Sequence, residues 1–443
     1  MNWRNLLAFS LTLSMGCGSS HNQPPADAGV DSAASDTSVR ADAMMDAGSD
    51  DGGGSDSGVG YAFMWDSAGE PAHSTYGSRG LRALSEDHAI WLGGSDLAPR
   101  GSAWVRIFDG ATNTWRDLGH ISTLTGTPLF SKMADGSATV LATGDVLYAG
   151  SGNQDGDRHA SDERLYSGQC VIFHQSDESV TVAAPLPARR AFQGDALLPD
   201  GRALIIGGVT TPDTPISPPD VLPERFELTI EASTLYYDPT ADAWSDGPPL
   251  AEARYSPGVT ILPGGDVLVV GGFDARNIPL RSVERYHVDT GTWSTVASTT
   301  DRRVWHVQAL LPSGKVLVAG GVDSLGDAID SAEVYDPDAD SWSAGAPLPL
   351  PTALAAGLTL ETGDVMVTGG FQDGTTKVAI PQVVAYREGD DTWLALPSLN
   401  IGRFYHSAVQ LEDGRVLIAA GLRNDTEVMH GANDTEISSV PLR

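Results

Sequence analysis

The stretch Pro263-Gly264-Gly265-Asp266-Val267-Leu268-Val269-Val270-Gly271-Gly272 decides the architecture. A Pro-Gly-Gly turn delivers the chain into four consecutive apolar residues, and a second Gly pair ends the run. Gly-Gly between apolar stretches marks a hairpin, because the turn needs positive φ. A strand that is apolar on consecutive residues is covered on both faces. The arrangement recurs at Ile90–Gly94, Val146–Gly150, Leu204–Gly208, Val316–Gly321, Val365–Gly370 and Val416–Gly421, which makes seven occurrences. Gly272, Gly321, Gly370 and Gly421 follow one another at 49, 49 and 51 residues, and Trp244, Trp293, Trp342 and Trp393 keep the same beat. Turns precede the runs: Pro199-Asp200-Gly201, Pro312-Ser313-Gly314, Asp413-Gly414.

Each unit reads as four strands. The first carries an Arg and an aromatic (Arg254-Tyr255), the second is the apolar run, the third alternates (Val283-Glu284-Arg285-Tyr286), and the last holds a Trp. Gly-Gly, then Tyr, then Trp about twenty residues on resembles the kelch repeat, whose period is near ~50 residues. The resemblance covers residues 61–443. It implies an all-β fold, a seven-bladed kelch-type β-propeller. A β-sandwich or a WD-type propeller does not predict this order of residues.

The seventh unit, beginning near Ile401, lacks its Trp. The N-terminal side supplies one in Tyr61-Ala62-Phe63-Met64-Trp65, and Trp65 precedes Tyr76 by 11 residues as Trp244 precedes Tyr255 by 11. Residues 61–67 are therefore expected to form the outer strand of the last blade and to close the ring, removing exposed sheet edges. The second and third units are longer, with the excess in Gly152–Ser167 and Thr210–Leu228. Long loops in a compact repeat are often functional, so both mark an expected binding face.

Residues 1–17 read as a lipoprotein-type signal peptide. Arg4 supplies the positive start, Leu6–Met15 is apolar but too short to span a bilayer, and Leu13-Ser14-Met15-Gly16-Cys17 resembles a lipobox. Lipidation of Cys17 would anchor the protein without embedding it. Residues 18–60 form an Asp/Ala/Gly/Ser stretch in which eight Asp face the single Arg40. Such a segment cannot bury enough apolar surface to order itself and is expected to be a disordered linker. The predicted location is the cell envelope, at the outer membrane or cell surface, as a membrane-anchored monomer.

Composition narrows the function. The 443 residues carry 58 acidic and 27 basic side chains, a net charge of −31. So acidic a chain excludes nucleic acid as a partner, since phosphate contacts need clustered Lys and Arg. Two Cys exclude a disulfide framework or a Cys-rich zinc module. Residues 153–163 are acidic, but Arg164 stands where a calcium loop needs a bidentate Glu.

The recurring Arg-plus-aromatic is the candidate site: Arg190, Arg254, Tyr255, Arg303, Trp305, His306, Arg403, Tyr405 and His406. On the innermost strands these groups would converge at the channel mouth, where Arg and flat rings suit carboxylates or sugars. The competing reading makes the Arg and His part of the repeat itself, tying loops together. Arg403-Phe404-Tyr405-His406-Ser407, followed by Asp413-Gly414-Arg415, also resembles the copper-ligand segment of the galactose oxidase and glyoxal oxidase family. That resemblance implies copper on Tyr405 and His406 and a Tyr–Cys radical cofactor. Phe192 stands where that family has its cross-linked Tyr, and Cys170 falls in an outer-half strand. The favoured reading is a non-catalytic module that binds an envelope protein or a glycan without a cofactor. The alternative is a galactose oxidase-like copper oxidase or a degenerate relative.

Overall fold

The computed structural model describes residues 63–69, 80–93, 103–126, 135–152, 166–210, 228–372, 378–423, 430–431 and 434–442. The signal segment, the linker, most of both long loops and the acidic 153–163 stretch lie outside these residues. Among them are seven four-stranded antiparallel sheets and one short helix, Ile121–Thr125. The sheet built from the decisive stretch is typical: Gly258–Ile261, Val267–Val270, Val283–His287 and Thr292–Val296, paired in sequence order. Val267–Val270 is buried at every residue. Both of its faces are covered, because the neighbouring sheets stack against it; clusters such as Leu262, Leu268, Val270, Val316 and Val318 join adjacent units.

The first strands of the seven sheets touch in a closed circle. Leu81–Ala83 meets Ser137–Val140, and the contacts run on to Ser407–Gln410, which returns to Leu81–Ala83. These strands surround the channel. In the seventh sheet the order from the centre outward is Ser407–Gln410, Val416–Ala419, Glu436–Ser438 and Trp65–Ser67. Trp65 stands opposite Ser438 and is 5% exposed. Its indole nitrogen donates to the Pro397 carbonyl at 2.8 Å, and Asn400 Nδ2 donates to the Trp65 carbonyl at 2.8 Å.

The Gly pairs have a steric cause. Gly271 and Gly272 have φ of 59° and 91°. A Cβ on Gly271 would sit 2.3 Å from the Arg303 carbonyl oxygen of the next unit, and one on Gly272 would sit 2.7 Å from that of Tyr255. Only Gly combines that backbone with that approach. Beyond five of these runs the chain forms a short extra pairing among the described residues, such as Tyr255 with Phe273 and Phe273 with Pro279. The apolar residues of these pairings share one cluster, with Val304, Val322, Phe371, Phe404 and Leu422. A second apolar layer thus caps one end of the ring.

The outer strands carry a repeated fastening. Tyr335 opposes Trp342 across the strand pair, with ring centroids 5.0 Å apart. The Trp342 indole donates to the Ala297 carbonyl of the preceding sheet at 2.7 Å. Asp340 accepts from the Tyr335 hydroxyl at 2.9 Å and from the Ala297 N–H at 2.8 Å. The same set recurs in Tyr237, Asp242, Trp244 with Ala184, and in Tyr386, Asp391, Trp393 with Ala346. The aromatics therefore pair within a sheet and reach its neighbour through hydrogen bonds.

Candidate functional site

The sequence brings the recurring Arg to the end of the ring that the Gly pairs occupy, but the structure does not aim them at the channel. Arg254, Arg303 and Arg403 are 0% exposed, and Arg190 is 3% exposed. Arg254 donates to the Gly271 carbonyl at 2.9 Å, to the Ser282 carbonyl at 3.0 Å and to Glu284 at 2.7 Å. Arg303 repeats this with Gly320, Ser331 and Glu333, and Arg403 with Ala420, Asp434 and Glu436. Glu284 also accepts the N–H groups of Ala251 and Glu252. Each Arg thus fastens the carbonyl end of an apolar strand to the third strand of its own sheet. Arg190 bonds Gly207 and Ser233, with Glu231 holding the Ser233 hydroxyl. Tyr255 is likewise buried, and its hydroxyl donates to Asn277. These five residues of the sequence-derived set are structural. The reason is charge: a buried guanidinium needs polar partners around it. Here carbonyls, a hydroxyl or a carboxylate take the terminal nitrogens, leaving the Nε of Arg190, Arg303 and Arg403 without a partner among the described residues.

Two residues after each Arg, and at the matching positions after Met133 and Thr352, the chain takes a left-handed turn. Asp135, Phe192, Ser256, Trp305, Leu354 and Tyr405 have φ of 61°, 57°, 50°, 57°, 52° and 56°. Such φ is uncommon outside Gly, and its recurrence in successive units marks a built feature. The N–H of Phe192 donates to the Asp135 carbonyl, Ser256 to Phe192, Leu354 to Trp305 and Tyr405 to Leu354, at 2.8 to 3.0 Å. Among the described residues these bonds form two arcs of a main-chain ring about the mouth, Asp135 to Ser256 and Trp305 to Tyr405. The Tyr405 hydroxyl reaches across to Asp135, which is 2% exposed.

Within this ring lies a cavity of about 140 Å³. Trp305, His306, Tyr405 and His406 line it, together with Ser256, Pro257, Gly258, Leu354 and Ala355. The structure therefore brings together four of the nine predicted site residues. It adds Ser256, Leu354 and Ala355, which sequence reasoning missed. The signal was the repeat register: Leu354 stands 49 residues after Trp305, but Thr352 holds the Arg position of that unit and hid it.

Both imidazoles are neutral. Burial, and secondarily the nearby Arg303 and Arg403 charges, push His306 and His406 down to about 3. The tautomer of His306 follows from its neighbour. Gln308 Nε2 donates to Thr260 Oγ1 at 2.9 Å and faces the Leu268 carbonyl, so Oε1 faces His306 Nε2. His306 Nε2 therefore carries the proton, and Nδ1 is a hydrogen-bond acceptor. That atom is buried without a partner among the described residues, as is His406 Nδ1. His406 Nε2 is 2.8 Å from Thr368 Oγ1.

The residues do not fit the copper–radical centre that the oxidase resemblance implies. The Tyr405 phenol is engaged by Asp135 and His406 Nε2 by Thr368. Phe192 has no oxygen to offer. Cys170 is fully buried in the strand Tyr166–His174, burial pushes its thiol up to about 12, and it does not line the cavity. No three His, Cys, Asp or Glu side chains among the described residues are gathered so as to hold a metal ion.

Comparison with known proteins agrees with the fold. A family model described as the Kelch motif matches residues 254–300 and 310–349. Among solved structures, the chain is similar to a novel fungal alcohol oxidase of the AA5 family in complex with copper. That match has TM-score 0.60 and 12% identity, covering 85% of this chain and 77% of the other. It is also similar to YjhT, with TM-score 0.52 and 13% identity, covering 68% of this chain and 94% of the other. No curated protein matches the sequence. At such identities the likeness concerns the fold alone.

Proposed function

We propose that this kelch-repeat β-propeller is a non-catalytic binding module of the cell envelope, exported and anchored by a lipid on Cys17, which holds a glycan at the mouth of its channel. One observation carries the reading: the aromatic-walled, uncharged cavity. Trp305 and Tyr405 offer flat apolar faces of the kind that pack against sugar rings, and no charged side chain lines the space between them. The Ser256 hydroxyl supplies a hydrogen bond without selecting for ionic ligands, and the neutral imidazoles add no charge. The buried Arg, each already bonded, argue against a carboxylate ligand.

An array of envelope glycans probed with the purified protein tests this. Capture should occur and should be lost in Trp305→Gly and in Tyr405→Ala while circular dichroism is unchanged. Undiminished capture by both variants would refute the site. Retention of an envelope protein but of no glycan would refute the ligand class. For the anchor, Cys17→Ser should release the protein from the membrane fraction, and unchanged partitioning would sink that part. The oxidase alternative requires stoichiometric copper and peroxide formation from alcohols, and the donor set gives no basis for either.

A further inference from the structure

The main-chain arcs around the mouth break, among the described residues, between Ser256 and Trp305. Among the described residues no bond joins the Trp305 N–H to the Ser256 carbonyl, although every neighbouring rung that is described is made. The cavity lies at this break, lined by Ser256 on one side and by Trp305 and His306 on the other. Two main-chain groups are left over there, the Trp305 N–H as a donor and the Ser256 carbonyl as an acceptor. Main-chain donors and acceptors are paired nearly everywhere in folded proteins, so the break suits an external partner that offers one of each.

We infer that the cavity receives the acetamido group of a neutral N-acetylated amino sugar, an inference that rests on the glycan-binding reading above. An amide offers what the break lacks. Its carbonyl accepts from the Trp305 N–H, and its N–H donates to the Ser256 carbonyl. A carboxylate has no N–H to give the Ser256 carbonyl. An ammonium would face the Trp305 N–H, with the buried Arg303 guanidinium behind His306. Size agrees: a cavity of roughly 150 Å³ elsewhere takes one benzene, so about 140 Å³ admits an acetamido group and leaves the sugar ring at the mouth against the aromatics.

Calorimetric titration of the full chain with N-acetylglucosamine, glucose and glucosamine separates the possibilities. N-acetylglucosamine should bind at least tenfold more tightly than the other two. Equal binding of glucose overturns the amide inference and leaves the glycan reading standing, and preference for glucosamine overturns it in favour of a cation. No binding of any of the three, with other glycans still captured on the array, also overturns it alone; a blank array removes both readings. Trp305→Gly keeps the left-handed backbone and its N–H while deleting the indole, and should weaken N-acetylglucosamine at least tenfold. The main-chain ¹⁵N–H resonance of Trp305 should move with N-acetylglucosamine and not with glucose. A static resonance under saturating ligand counts against the inference.

Discussion

At the scale of single residues, the buried Arg–Glu pairs are governed by a rule about charge. Removing one partner of a buried ion pair strands the other, at a cost of about 3–5 kcal/mol, whereas replacing both by apolar or neutral groups is often tolerated. The sixth unit has made that double exchange: Thr352 stands at the Arg position and Val384 at the Glu position. Arg303→Ala should therefore lower stability by about 3–5 kcal/mol in denaturant melts, with Arg303→Thr/Glu333→Val recovering much of the loss. A double variant no better than the single would show that the charges are not what matters. The recurrence of these Arg was legible in the sequence, and so was the competing reading that they tie the repeat together. The deciding fact is the Glu thirty residues on, Glu284 or Glu333, which only the sheet register brings beside the guanidinium.

The two neutral imidazoles make a second prediction at this scale. Each has a pKa near 3 in the folded protein against an ordinary 6.5, so the unfolded chain takes up protons that the native state refuses. Stability is then complete above pH 6.5 and falls as the pH drops from there toward 3, by up to about 1.4 kcal/mol per pH unit for each His. Thermal melts between pH 7 and 4.5 should slope downward, and His406→Gln should flatten the slope. That window lies above the ordinary carboxylate range of 3.8, where Asp266 and Asp274, both lowered, begin to contribute.

At the scale of the element, the Tyr–Asp–Trp fastening shows what repeats conserve and what they trade together. In the fourth sheet Gly291 replaces the Asp, with φ of 66°, and the Trp293 indole nitrogen has no partner. The preceding sheet ends there in Pro248, where the complete cases have Ala184, Ala297 or Ala346. Proline has no N–H, so an Asp would have nothing to accept. Gly291→Asp alone should bring no gain, whereas Pro248→Ala/Gly291→Asp should show a favourable coupling of about 0.5–2 kcal/mol in a double-mutant cycle. Additive effects would contradict the pairing. The Tyr and Trp beat was enough to read the strands from the sequence. The Asp was not singled out, because its partner is a main-chain group whose position depends on how sheets stack.

At the scale of the whole molecule, the outermost strand of the seventh sheet comes from the other end of the ring. Trp65 is buried, and Trp→Ala at such sites costs about 3–5 kcal/mol. Trp65→Ala or deletion of residues 61–72 should lower the melting temperature by many degrees, and an unchanged melt would mean that the strand is dispensable. This feature was legible because the Trp count comes out one short at Ile401–Arg443 and one over at Trp65. The mouth was only partly legible: its side chains follow the repeat, but the cavity lies where one main-chain rung is absent, and no residue type announces that.

The pairing of Trp65 with Ser438 also sets an order of events. A strand made early waits for one made last, so no partial chain emerging during synthesis can complete the seventh sheet. Bringing the two together spans almost the whole ring, and contacts of such long sequence separation form slowly. Until they do, Glu436–Ser438 presents an unpaired edge to any other strand nearby. The seam thus cannot close before Glu436–Ser438 has been synthesised, and until it closes that edge is open to mispairing.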